Sequence, residues 1–252
     1  MLFDTHAHYD DERYGGELDG ILNALADSGV GLALNAGSGM AQSRRGLEIA
    51  RKYGFVYAAA GVHPHEAEQM TDADIDELRV MLREPKCVAL GEIGLDYHYD
   101  FSPREVQRRR FAQQLELARE TDMPVIVHER EAFADVMEIL SDFGGLRLVV
   151  HCFSGDTAAA ERVIERGWLV SFNGIVTFRK NKSLEVAAAV PLEYLLLETD
   201  APYLAPDPVR GTLNDSRNLK YIAAKIAEAR GITAEELAAA TTENGKRFFG
   251  IN

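Results

Sequence analysis

An α/β fold, the (β/α)8 barrel with a metal site at the C-terminal mouth of its strands, is what this sequence predicts, on three observations. Eight apolar, β-branched runs alternate with amphipathic stretches through 252 residues, the count and spacing of such a barrel. No G-x-G-x-x-G follows the first run, which weakens the rival reading, a doubly wound dinucleotide-binding sheet. Six of the seven histidines, with several carboxylates, fall at or just after the ends of the runs, and a barrel gathers those ends together.

Strands are expected near 2–5, 30–36, 55–60, 87–91, 124–128, 147–151, 168–172 and 194–198. Each is short and nearly continuous in apolar residues, as parallel strands covered on both faces require. Helical patterns lie between them near 17–28, 40–53, 72–83, 103–121, 131–143, 157–166 and 181–189, and two more follow near 216–230 and 234–249. Ser102-Pro103-Arg104-Glu105 reads as a capping box with Pro at the first helical position, and Thr233-Ala234-Glu235-Glu236 as a second. Gly29, Gly54 and Gly231 stand where helices should stop. No linker, low-complexity tract or repeat interrupts the alternation, so 1–252 reads as a single domain.

Hydrophobic residues make up 46% of the chain, enough for a full core. No apolar run reaches the ~18–20 residues of a membrane span, and the N-terminus lacks the pattern of a secretory signal. Cys87 and Cys152 make no disulfide framework, so a reducing cytoplasm is expected. The net charge of −13 excludes a protein that holds nucleic acid by a broad basic surface. It leaves room for a nucleic-acid enzyme whose bound cations supply the positive charge.

The chemistry starts at Asp4-Thr5-His6-Ala7-His8. Residues two apart on a strand point to one side, so His6 and His8 can grip one divalent ion. His63 and His65 follow strand three, Glu92 follows strand four, His128 ends strand five, His151 ends strand six and Asp200 follows strand eight. Any one of these is more often structural. Their joint placement is what a structural reading leaves unexplained. Four histidines with Glu92 and Asp200 exceed the needs of one tetrahedral zinc and fit two ions sharing a bridging ligand.

These residues lie in Gly61-Val62-His63-Pro64-His65, Gly91-Glu92-Ile93-Gly94-Leu95-Asp96-Tyr97, His151-Cys152-Phe153-Ser154-Gly155 and Glu198-Thr199-Asp200-Ala201-Pro202-Tyr203-Leu204. With the first motif and Thr242-Glu243-Asn244, this ordered set resembles the TatD family of metal-dependent deoxyribonucleases, among the amidohydrolase-like barrels. The resemblance implies two divalent ions (Mg, Mn or Zn), with room for a third. It implies that His6, His8 and Asp200 hold one ion, that His128 and His151 hold the other, and that Glu92 bridges them where many relatives use a carbamylated lysine. Lys86 begins strand four and should lie at the wrong end for that role. His63, His65 and Arg210 would meet the substrate phosphate, and Asp200 would act as base. The implied activity is 3′→5′ exonucleolytic cleavage of single-stranded DNA ends by water activated at the two ions, in a monomer without a membrane partner. The alternative is hydrolysis of a carbonyl, C–N or ester bond, as in D-aminoacyl-tRNA; a non-catalytic metal scaffold is the least favoured reading. Where the family commonly reads R-G-K-x-N-E-P, this chain reads Arg210-Gly211-Thr212-Leu213-Asn214-Asp215-Ser216, so the substrate-facing loop should differ.

Other residues carry weaker signals. Glu198 is read either as a ligand of a third ion or as a carboxylate that orients a ligand histidine, and Asp96 either as such an outer carboxylate, with a third ion again open, or as a cap of its loop. His98 is expected on an exposed loop and Cys152 as a packed thiol. Arg179 and Lys180 either bind phosphate or cap a helix. Arg108, Arg109 and Arg110 cannot share one helical face, so a solvated run is expected. Tyr97, Phe101 and Tyr203 are candidates to stack bases at the rim, against the commoner packing role.

Overall fold

The computed structural model describes residues 1–179 and 181–251; Lys180 lies outside them. Among the described residues the elements run β1 (Leu2–Ala7), α1 (Leu18–Asn23), β2 (Val30–Asn35), α2 (Met40–Lys52), β3 (Val56–Ala60), α3 (Asp72–Met81), β4 (Cys87–Asp96) and α4 (Arg104–Thr121). They continue with β5 (Val125–Arg130), α5 (Phe133–Ser141), β6 (Leu148–Val150), α6 (Thr157–Ile164), β7 (Leu169–Phe172), α7 (Ser183–Ala189), β8 (Leu195–Leu197), α8 (Leu219–Arg230) and α9 (Ala234–Phe249). The strands belong to one parallel sheet in chain order. No described helix is long and apolar enough to cross a membrane. The chain divides into two compact units, a terminal one (Met1–Asn35 with Cys152–Asn252) and a central one (Ala36–His151).

In the central unit β3, β4, β5 and β6 pair in parallel, with Ala60 opposite Leu90, Gly94 opposite His128 and Val127 opposite Val150, and with register shifts between Ala58 and Ala59 and between Leu90 and Ile93. β4 runs to Asp96, five residues past its expected end. Glu92 therefore lies inside the strand, and His128 likewise lies within β5. The apolar cue stops at Gly91 because the acidic Glu92 and Asp96 interrupt the run. Two glycines make the extension possible. A Cβ on Gly91 would come within 2.7 Å of the Ile126 side chain, and one on Gly94 within 1.9 Å of the His128 carbonyl oxygen. Gly94 also has φ +152°, a conformation that side chains disfavour.

In the terminal unit β1 pairs with β2, and β7 with β8. Every residue of β1 is buried. The exit of β8 is tied to β1: the Asp200 N–H donates to the His6 carbonyl at 2.9 Å and the His8 N–H to the Ala201 carbonyl at 2.6 Å. Beneath that junction sits Asp4, fully buried. Its carboxylate accepts from the Thr199 N–H (2.9 Å), the Thr199 hydroxyl (2.6 Å) and the Ser216 hydroxyl (2.5 Å). Burial pushes the Asp4 carboxyl up to about 7 in spite of these donors. The Tyr9 hydroxyl meets Ser216 Oγ at 2.6 Å, and Asn214 Nδ2 donates to the Thr199 and Tyr203 carbonyls. The divergent 212–216 segment is thus a brace for Thr199-Asp200, and not solely a substrate loop.

Two capping expectations fare differently. Thr233 and Glu236 form the reciprocal box. Ser102 does not cap α4: its hydroxyl accepts from the Glu68 N–H and donates to the His65 carbonyl, and the cap position falls on Pro103. α1 is shorter than expected, because 3-10 turns occupy 12–17 and 26–28. Gly29 and Gly231 are left-handed helix stops, whereas α2 ends at Lys52 with an extended Tyr53, so Gly54 is not its stop.

Gly94→Ala is expected to lower unfolding stability by more than about 2 kcal/mol, read as the urea midpoint; an unchanged midpoint would contradict the close approach to His128. Asp4→Ala strands the buried Thr199 and Ser216 donors. It should cost about 3 kcal/mol by the same measurement, and a neutral result would show that the network bears no load.

Candidate metal centre

The terminal unit presents three donors at the ends of β1 and β8. His6 near the end of β1 and His8 just past it bring their Nε2 atoms to 3.2 Å from each other. Asp200 Oδ1 lies 3.8 Å from the first and 3.5 Å from the second. Asp200 adopts φ +55°, a left-handed conformation that Asp tolerates better than most residues. His6 is 1% exposed. Donors bonded at ~2.0–2.1 Å in a tetrahedral shell lie roughly 3.3 Å from one another, so this set fits a divalent cation.

The central unit presents a second set. Glu92 Oε2 lies 2.9 Å from His151 Nε2 and 3.5 Å from His128 Nδ1, and those two nitrogens are 3.1 Å apart. The spacing again matches a coordination shell. Glu92 is buried, and its carboxylate is ringed by these imidazoles.

Asp96 sets the direction of His128. Its Oδ2 lies 3.2 Å from His128 Nε2 and 2.9 Å from His65 Nε2, while Oδ1 accepts from the His98 and Tyr99 N–H groups. Burial opposes ionisation, yet these donors hold the Asp96 carboxyl far below its ordinary value. With Nε2–H given to Asp96, His128 turns the lone pair of Nδ1 toward Glu92, the arrangement by which a carboxylate fixes a metal-binding tautomer. Both the orienting and the loop-capping reading of Asp96 match this geometry.

His63, Glu92 and His128 also bring donor atoms within 4.8 Å of one another, which makes His63 a competing ligand. Its Nδ1 accepts from the His65 N–H at 3.2 Å, so Nε2 carries the proton of the neutral ring. Burial, then the neighbouring His128, pushes the His63 imidazole well below its usual value. His63 is a neutral N–H donor facing Glu92 at 4.0 Å. His65, expected at the phosphate, spends Nε2 on Asp96 instead.

Glu198 is fully buried and accepts from the Cys152 N–H (2.8 Å), the Ser171 hydroxyl (2.5 Å) and Asn173 Nδ2 (3.2 Å). It pins the chain directly after His151, which suits the orienting reading. Arg210 is exposed, with its guanidinium 4.1 Å from the centre of the Phe178 ring. Lys86 Nζ donates to the Gly54 and Val56 carbonyls at the entry of β3, the wrong end for a carbamylated ligand, as expected. His98 is exposed and pairs with Glu131 at 2.7 Å. Arg108 pairs with Asp135 and Glu138, and Arg110 with Asp72, so two of the three arginines are spent on ion pairs. Cys152 is half-buried. Arg179 is exposed.

Three supporting residues escaped the sequence reading. Asp4 stands in the opening motif but was given no role there, and the signal for Asn214 and Ser216 was the break from the family pattern at 212–216.

Residues 3–250 match the family model described as TatD related DNase. The chain is 40% identical over 255 residues to the uncharacterized metal-dependent hydrolase YabD of Bacillus subtilis (strain 168), covering all of both chains. It is 33% identical over 258 residues to the 3′-5′ ssDNA/RNA exonuclease TatD of Escherichia coli (strain K12), covering 99% of each. Among solved structures, the TatD homologue YJJV from Escherichia coli k12 superposes with a TM-score of 0.93 at 34% identity, over 100% of this chain and 98% of that one. The fold class is thus the (β/α)8 barrel that the strand count predicts. With a matching model along nearly its whole length, close relatives across all of it, and metal-fitting donors at the strand ends, the chain belongs to the TatD family of metal-dependent hydrolases.

Proposed function

We propose that this hydrolase is a two-metal phosphodiesterase that removes nucleotides from single-stranded DNA ends in the 3′→5′ direction, working as a monomer in the cytoplasm with 1–252 as one functional domain. The observation that carries the reading is the presence of two three-donor sets, His6/His8/Asp200 and Glu92/His128/His151, each spaced like a coordination shell. His6, His8 and Asp200 would hold one ion, His128 and His151 the other, and Glu92, with its two oxygens, would bridge them. When bound, such a pair supplies a water acidified toward neutral pH and charge to neutralise a phosphoryl group. The exonuclease name of the Escherichia coli relative supports nucleic acid as substrate.

This chain's residues divide the remaining work. His63, neutral and with Nε2–H directed into the site, donates to a phosphoryl oxygen as negative charge builds there. Asp96 keeps His128 in its ligand tautomer. Asp200 takes the proton of the attacking water onto its carboxylate. The exposed Arg210 faces the strand's phosphates, while His65 is held by Asp96. The net charge of −13 disfavours a long duplex across the surface and favours a terminus fed into a cation-bearing pocket.

Metal-loaded protein should release mononucleotides from labelled single-stranded oligonucleotides with Mg²⁺, Mn²⁺ or Zn²⁺; no release with any ion sinks the nuclease reading. Glu92→Ala should lower bound metal from two ions per chain and slow cleavage by more than about 100-fold. Unchanged metal content, measured by elemental analysis, would refute the bridging role.

A further inference from the structure

The segment that leaves β4 exposes two aromatic rings that metal binding does not use. Phe101 is 64% exposed and Tyr99 48%. Their rings stack, with centroids 5.2 Å apart and planes 20° from parallel. The Arg130 guanidinium lies 4.8 Å from the Tyr99 centroid. His65 stands edge-on to both rings, at 5.5 Å from Tyr99 and 4.8 Å from Phe101.

The segment is held firmly although its rings face water. Asp96 Oδ1 accepts from the Tyr99 N–H at 2.9 Å. Asp100 and Arg104 form an ion pair at 2.7 Å. The buried Gln107 amide donates to the Asp96 and Ser102 carbonyls. Apolar ring surface displayed on a fixed backbone, with a cation beside it, is a platform for a flat, electron-rich ring. Stacking of this kind accepts any nucleobase, because each has a π-face. Asp96 also joins the platform to the metal-binding residues: one of its oxygens holds the Tyr99 backbone and the other holds His128. Platform and ligand histidine therefore keep a fixed separation, as a base and its phosphate do along a strand.

We propose that Tyr99 and Phe101 form a nucleobase-stacking subsite for the base next to the scissile phosphate, with Arg130 supplying cation–π support. This rests on the nuclease reading above and adds to it a sequence-tolerant specificity element for single strands: a base paired in a duplex has its faces covered and cannot occupy the platform.

The test crosses enzyme and substrate changes. Oligothymidylates with ordinary or abasic 3′-terminal nucleotides are given to metal-loaded wild type, Tyr99→Ala, Phe101→Ala and Phe101→Trp. Wild type should prefer the base-bearing end by roughly 5- to 100-fold in kcat/KM. Each alanine variant should lose most of that preference through KM, and Phe101→Trp should retain it. A preference that is absent in wild type, or undiminished in both alanine variants, overturns the subsite. In parallel, anisotropy measures binding of a fluorescent phosphorothioate oligothymidylate that resists cleavage. Weaker binding by both alanine variants supports the platform even if no strand is cut, and equal binding overturns it. Absence of cleavage by wild type fails the nuclease reading alone.

Discussion

Crowding of ring nitrogens around carboxylate oxygens, out of reach of bulk water, is the constraint to which the rest of the chain answers. Nitrogen pairs stand 3.2 Å apart in one unit and 3.1 Å in the other. Neutral imidazoles with lone pairs aimed at a common point repel unless a cation lies between them. Burial removes the water that would otherwise soften the repulsion. Such donors stay in place only because a further layer holds them: Asp96 turns His128, Glu198 grips the backbone after His151, and the Asp4–Thr199–Ser216 contacts set the strand that bears His6 beside the segment that bears Asp200. Deleting any of these leaves the ligands intact and their geometry unsupported.

The charge distribution follows from the same constraint. The chain carries 40 acidic against 27 basic residues, and many of its arginines are engaged in surface ion pairs such as Arg44–Glu77, Arg79–Glu120 and Arg108–Glu138. An anionic substrate meets few uncommitted cations among the described residues. On the nuclease proposal, attraction of an anionic strand would fall to ions held by the carboxylates.

Most of the architecture was legible in the sequence, because parallel strands buried on both faces leave an apolar signature and helices leave a periodic one. All six expected ligand positions fall in donor sets, a site that no single residue signalled and that their joint placement after apolar runs did. What was illegible was the reach of β4. Its last residues carry Glu92 and Asp96 and so look like a loop, and only pairing with β5 reveals them as strand. Ser102 was misread because a hydroxyl before Pro resembles a cap, whereas long-range bonds to Glu68 and His65 claim it. The bracing role of Asn214 and Ser216 was hidden for a simpler reason: their partners are far away in sequence.

That distance has a consequence for how the molecule is made. Thr199 and Ser216 lie 195 and 212 positions from the Asp4 carboxylate that binds them. The central unit is one continuous stretch, Ala36–His151, whereas the terminal unit joins the first 35 residues to the last hundred. During synthesis, Glu92, His128 and His151 can assemble while Asp200 is still unmade. The opening strand must wait for more than 190 further residues before its histidines gain their carboxylate.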